Sequence, residues 1–306
     1  MFQFIRNSDV NEVILGILSD LIWVSTGILI FWVRRNLYFY LITKRKIITF
    51  FSKRKYLLIW NDHDIALSKR ITQHLQTKGI DNYRIKHLRK PEDILYYPPS
   101  PKYVHAIIII VTDVTKLSEN EKIRIKIQTR LNKYVSAGGT LFGTHDLIYK
   151  RCRNEELQEM YGCQVKYFQR SINPIQVNTS PEYKSHPILT NLPHNFSLSD
   201  GEIITGEWAN DIQKILLTSE KYFDPLINVP ILCIRHSFYK GLLIWISCAD
   251  KSDAVAASIS MPQPEFIQIL YNALTLTREI KNYSPELPVL QEQIETDNSK
   301  EQEIAQ

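Results

Sequence analysis

Three short polar clusters each follow an apolar run, and they hold most of the groups in this sequence that could do acid–base or binding chemistry. They are Asn61-Asp62-His63-Asp64, Thr112-Asp113 and Thr144-His145-Asp146. A histidine beside carboxylates can carry a proton near neutral pH, hydrogen-bond a polar ligand or coordinate a metal. The plain alternative is that Asn, Asp and Thr at such places cap the helices that follow. Capping accounts for His63 and His145 less readily than for their neighbours. His145 is thus the candidate catalytic residue, and with Asp62, His63, Asp113, Thr144 and Asp146 it is a candidate for ligand binding. A histidine buried and hydrogen-bonded for packing is the competing role. Cys152 lies seven residues after His145, on the same face if one helix carries both, but no positioned base accompanies it. A metal site from His63, His145 and Asp250 has no ligand spacing to mark it. Gly138-Gly139 precedes its strand instead of following it, so no phosphate-binding loop is indicated. Neither a metal nor a cofactor is expected.

For the clusters to meet, the segments around them must build a sheet. Lys55–Asn61 (KYLLIWN) reads as a buried strand. A helix follows to Gly79, with Ile65, Leu67, Ile71 and Leu75 in helical register. Tyr83–Leu88 is a second strand, and HAIIIIVTD, after the proline-rich turn YYPPSPK, is the strongest strand of all. A helix from Asn120 to Val135, the strand GGTLFGTHD and a further helix to about Met160 complete an alternating series. Such alternation predicts a parallel sheet covered on both faces, with ligands bound beyond the C-terminal strand ends. From about 164 the chain turns to shorter β segments: QVKYFQ, INPIQVN, IQKILLTSE, PILCIRHSF and KGLLIWISC. The helix PEFIQILYNALTLT closes the domain, and a polar tail from Ser284 reads as disordered.

The sequence has 306 residues, 44% hydrophobic and 23% charged, an ordinary globular balance. Its net charge of +5 is concentrated: between Arg34 and Lys55 stand eight Lys/Arg and no acidic residue, leaving the rest slightly acidic. That pattern excludes a general nucleic-acid-binding surface and fits anionic lipid. The four cysteines carry no CxxC pair and read as reduced thiols. Val13–Val33 (VILGILSDLIWVSTGILIFWV) is apolar except for Asp20, and at about 1.5 Å per residue it matches a bilayer core of roughly 30 Å. A signal peptide would want positive charge before the apolar run; here Arg34-Arg35 follow it. The basic flank places everything after it on the cytoplasmic side, so the expected location is the cell inner membrane, single-pass, with a cytoplasmic C-terminal domain. Residues 36–52 read as a continuation of the helix or as an interfacial segment. Gly16, Ser19, Asp20, Trp23, Thr26 and Gly27 share one helix face, and two readings stay open: a single anchor with Asp20 protonated or displaced towards the interface, or self-association through this face and, by extension, a pore around Asp20.

The order LNKYVSAGGTLFGTHD, ELQEMYGCQV, YKSHPILTNLPHNFSLSDGEI and VPILCIRHSFYKGLLIWISCAD resembles the ThuA-like (trehalose-utilisation-like) branch of the class I glutamine-amidotransferase-like superfamily. The resemblance covers roughly residues 56–278 and implies a flavodoxin-like α/β fold, a central mostly parallel sheet with flanking helices. Amidotransferases of this superfamily place a nucleophilic Cys on the strand-to-helix turn where this chain has His145; the ThuA-like branch also has His there. Glutaminase chemistry is thereby excluded. The family's D-x-E falls on Asp200 and Glu202, for which a solvated turn is the alternative reading. Where the family ends its last strand with Gly-His, this chain has Ala249-Asp250, and Asp250 could accept hydrogen bonds or bind a cation. His186 is expected to order a turn before Pro187. The layout expected is an extracytoplasmic segment 1–12, a membrane helix 13–33, a basic juxtamembrane segment 34–55, the α/β domain 56–280 and an acidic tail 281–306. The functional expectation is a small-molecule or partner sensor coupled to an oligomerising membrane helix, and in its strongest form a gated effector. The alternative is an enzyme acting on a small metabolite such as a sugar derivative through His145 and nearby carboxylates.

Overall fold

The computed structural model describes residues 7–61, 65–111, 117–171, 173–199, 202–223, 226–236, 240–247 and 263–285. The chain divides into two units: the N-terminal helix with Tyr96–Pro98, and the remainder. In the first unit, α1 (Asn7–Ser52) is one continuous helix of 46 residues, about 69 Å at the usual rise. Its stretch from Ile14 to Ser52 is long and apolar enough to cross a membrane. Large apolar side chains lie exposed on it from Ile14 to Phe51. Residues 36–52 therefore continue the helix. Arg45 is committed locally: its guanidinium sits 3.8 Å over the Tyr97 ring and donates to the Tyr96 carbonyl.

The second unit is an α/β domain. Its strands are β1 (Tyr56–Asn61), β2 (Arg84–Leu88), β3 (Val104–Ile110), β4 (Thr140–Thr144), β5 (Cys163–Arg170), β6 (Ile175–Thr179), β7 (Asn195–Leu198), β8 (Glu202–Trp208), β9 (Gln213–Tyr222), β10 (Ile227–Arg235) and β11 (Leu242–Ile246). Nine of them form one sheet in the order β2-β1-β3-β4-β11-β10-β9-β6-β7. The first five are mutually parallel, and the pairings from β11 through β7 are antiparallel. The parallel part has the flavodoxin-like order, with its switch point between β1 and β3. β5 and β8 pair separately as an antiparallel ribbon.

β1, β3, β4 and β11 are buried along nearly all of their length, which is why they read as unbroken apolar runs, whereas the edge strand β2 (RIKHL) is only partly covered. Ile108, Ile109 and Ile110 are fully buried, each contributing roughly 1.5–3 kcal/mol by transfer from water. The helices of this unit are α2 (Ile65–Thr77), α3 (Glu121–Ser136), α4 (Glu155–Tyr161), α5 (Pro264–Thr275) and α6 (Thr277–Asn282). Right-handed crossovers in opposite directions from the switch point put α2 and α3 on opposite faces. α2 packs beside α5, and Lys78 donates to Gln268 at 2.7 Å; α3 packs beside α4. α2 buries Leu67, Ile71 and Leu75, whereas Ile65, at the first position, is exposed.

Two sequence expectations change. The single helix expected to run from the end of β4 to about Met160 is instead two 3-10 turns, His145–Ile148 and Lys150–Cys152, followed by α4. Arg153 takes a left-handed φ of 52° and breaks the helical path. Cys152 and His145 accordingly share no helix face. The second change is that β7 and β8 are strands; both lie around the D-x-E, which composition marks as a turn. The sequence from 286 onward, including most of the expected disordered tail, lies outside the described residues.

One close approach fixes the start of the parallel core. Gly138, at φ 101°, ends the turn after α3. Gly241 precedes β11 and lies against the backbone there: a Cβ on it would fall 2.4 Å from the carbonyl oxygens of both Gly139 and Val135. Neither backbone atom can rotate away. Gly241→Ala is expected to destabilise the domain by about 2–3 kcal/mol, the scale of overpacking, measured as a lower urea midpoint with an unchanged m-value.

Candidate functional site

The register brings the strand ends together. Asn61 of β1 pairs with Ile110 of β3, and Ile246 of β11 pairs with Thr144 of β4, so these strands finish along one edge. Thr144 is fully buried, and its hydroxyl accepts from the Val111 amide at 2.8 Å and donates to the Val111 carbonyl at 2.9 Å. That hydroxyl closes the sheet and has little capacity left for a ligand. Asp62, His63, Asp113, Asp200 and Asp250 lie outside the described residues, as does the side chain of Asp146.

His145 begins the turn at φ 37°, a conformation unusual for a residue with a Cβ. The indole of Trp245 in β11 donates to the His145 carbonyl at 3.1 Å and pins the turn. The ring is 2% exposed, and its Nδ1 stands 3.7 Å from Oε2 of Glu202, at the start of β8. Glu202 is itself 7% exposed, and the Tyr149 hydroxyl donates to the same carboxylate oxygen. The D-x-E glutamate is thus an interior group, which corrects the solvated-turn reading. Arg151 covers the cluster, its guanidinium 3.8 Å over the Phe168 ring and 5.2 Å over Tyr149. Burial alone would push the Glu202 carboxyl up, but His145, Tyr149 and Arg151 outweigh it and hold it below the ordinary carboxylate range.

Tyr149, Arg151 and Trp245 carry no sequence signal as site residues. Tyr149 and Arg151 sit in a segment, IYKRCR, that reads as amphipathic helix, and Trp245 sits in a uniformly apolar strand. Ser247, directly after β11, is also buried, with its hydroxyl unpartnered among the described residues. His186 behaves as expected: its Nδ1 accepts from the Ile188 amide at 3.1 Å, and burial, followed by the nearby His236, pushes its pKa down to about 3.

Cys152, Cys163 and Cys233 are buried, and burial pushes the Cys163 and Cys233 thiols far above the usual range, which disfavours the thiolate a nucleophile needs. Beside the turn after β4 lies an open cleft of about 560 Å³. It is lined by Glu121, Arg124 and Ile125 of α3, Lys150 and Arg153, Glu155 and Gln158 of α4, and Gln164 of β5. Its floor is an amide relay: Gln164 donates to Gln158 at 2.9 Å, and Gln158 donates to the Tyr149 carbonyl at 2.9 Å. The short segment 149–153 therefore serves two places. Tyr149 and Arg151 belong to the buried cluster, while Lys150 and Arg153 line the cleft.

No protein-family model matches the chain, and no curated protein matches it. Among solved structures its neighbours include ThuA-like proteins and a glutamine amidotransferase. A ThuA-like protein from Bacteroides uniformis is 16% identical, with 74% of this chain and 91% of that chain covered at a TM-score of 0.49. Another, from Parabacteroides merdae, is 12% identical, covering 77% and 93% at a TM-score of 0.48. The glutamine amidotransferase, from Methylobacillus flagellatus, is 10% identical over 77% and 98%, with a TM-score of 0.43.

The lowered Glu202 pKa fixes the sign of a pH effect. A carboxylate favoured by the folded state contributes stability above its unfolded value of about 4.3, and that contribution is lost as pH falls through the folded value. The Glu202→Gln variant is expected to be about 1–2 kcal/mol less stable at pH 7, with the gap closing below about pH 4. Chemical denaturation of both proteins across pH 3–7 reads this directly.

Proposed function

We propose that this chain is a membrane-anchored, ligand-responsive domain that uses an amidotransferase-like fold without amidotransferase chemistry. The observation that carries the reading is the dual role of segment 149–153. A ligand in the cleft would touch Lys150 and Arg153, and any shift of that backbone would act on Tyr149 and Arg151, the partners of the buried Glu202. An enzyme that turns over a solute needs its acid–base group open to that solute, whereas His145 and Glu202 are sealed from the surface. A closed polar cluster suits a two-state element that a ligand biases.

The exposed apolar run of α1 is the motive for the anchor, because so much apolar surface on one helix calls for lipid or for a partner helix. In this reading the basic residues from Arg34 to Lys55 hold the domain on the cytoplasmic side. The face bearing Gly16, Ser19, Asp20, Trp23, Thr26 and Gly27 supports self-association: a Cβ added at Gly16 or Gly27 would meet nothing within 4 Å, so a second helix could approach closely. Asp20 on that face would then be shielded from lipid.

The test uses full-length protein purified from membranes in detergent. Mass spectrometry should find a small molecule retained in stoichiometric amount, and re-adding it should raise the unfolding temperature. His145→Ala should weaken that stabilisation at least fivefold. No ammonia should form from glutamine. Turnover of the retained molecule that vanishes in His145→Ala would decide against the receptor reading, as would full-length protein that washes off membranes in alkaline carbonate.

A further inference from the structure

The charge pattern of the cleft narrows what it accepts. Arg124 projects from the second turn of α3 and is 7% exposed, yet among the described residues its guanidinium makes one hydrogen bond, to the Ser118 carbonyl at 3.1 Å. Its Nε is buried and unpartnered, and no carboxylate lies within 4 Å among the described residues. A buried guanidinium is costly unless an anion compensates it. Elsewhere the fold treats such a group differently: Arg235, equally buried, pairs with Asp211 at 2.9 Å and donates to the carbonyls of Glu159 and Met160. Of these two buried arginines, Arg124 has no counter-charge among the described residues, and it lines the cleft.

Lys150 and Arg153 stand on the same cleft, so three cations meet there against Glu121 and Glu155. Both glutamates occupy the first turns of their helices, where the helix dipole already favours negative charge. Gln158 and Gln164 supply the neutral polar floor. A guanidinium's planar fork matches the oxygens of phosphate or carboxylate better than any neutral group does.

We propose that the cleft between α3, the 149–153 segment and α4 binds a small soluble oxyanion, a phosphate- or carboxylate-bearing solute, with Arg124 as the buried anchor and Lys150 and Arg153 as the outer clamp. The inference rests on the ligand-responsive reading above for its biological meaning, but anion binding itself can be measured without it. The anion replaces the missing partner of Arg124 and immobilises segment 149–153, the backbone that carries Tyr149 and Arg151.

The experiment follows thermal unfolding of detergent-purified full-length protein titrated with sodium pyrophosphate and, separately, sodium citrate, against sodium chloride at matched ionic strength. One of the two polyanions is expected to give a saturable rise that chloride does not reproduce. Arg153→Gln and Lys150→Gln, both surface changes, should each raise the half-saturating concentration at least fivefold. Arg124→Gln should abolish saturation; if that variant fails to fold, the two surface variants still decide. Lys133→Gln, at the far end of α3, should change nothing. No saturable rise with either polyanion, or a rise equally reduced by Lys133→Gln, would overturn the proposal. A neutral retained molecule with no polyanion effect would leave the receptor reading standing and remove the oxyanion.

Discussion

The structure turns on how β4 ends. At Thr144 the side chain takes over the hydrogen bonding that the backbone gives up, satisfying both the amide and the carbonyl of Val111 from a fully buried position. One residue later Trp245 holds the His145 carbonyl while φ turns positive. A non-glycine residue in that region costs on the order of 1–3 kcal/mol, and two neighbouring strands hold it there. The outcome is directional: the His145 ring meets Glu202 in the interior instead of facing solvent.

That direction sets the electrostatics. An interior carboxylate is stable only when paired and hydrogen-bonded, and Glu202 has a histidine, a tyrosine hydroxyl and a nearby guanidinium to do this. The turn after β4 here anchors a closed polar network. Such a network is sensitive to small displacements, because a partly broken one strands a buried charge. The 149–153 segment is the part of it that also reaches the cleft, so packing at the surface and charge in the interior share one short piece of backbone.

Most of the sheet was legible from sequence because parallel strands buried on both faces are continuous apolar runs: YLLIWN, VHAIIII and TLFGT need no tertiary information. His145 was legible for a similar reason, standing at the end of such a run. Its partner was less so. Asp200 and Glu202 are two residues apart in a polar stretch, and nothing local says that Glu202 opens a strand whose partner, β5, carries it inward. The helix expected after β4 failed because IYKRCRNEELQEM has helical spacing, while Arg153 in a left-handed conformation and Asn154, bonded to the Leu147 carbonyl at 3.1 Å, divide it. Tyr149 and Arg151 were hidden by that same spacing. The apolar part of α1 is legible in the sequence; its unbroken continuation through the basic residues is permitted by the absence of glycine and proline between Leu29 and Ser52.

The central claim is the contact between the His145 ring and the Glu202 carboxylate. Nitrogen NMR of histidine-labelled full-length protein in detergent micelles tests it most directly, with His145 assigned by its loss in His145→Ala. The account predicts that Glu202→Gln moves the ring-nitrogen signals of His145 while Glu207→Gln, an exposed change on the same strand, leaves them in place. His145 signals that are identical in the wild type and in Glu202→Gln would contradict it.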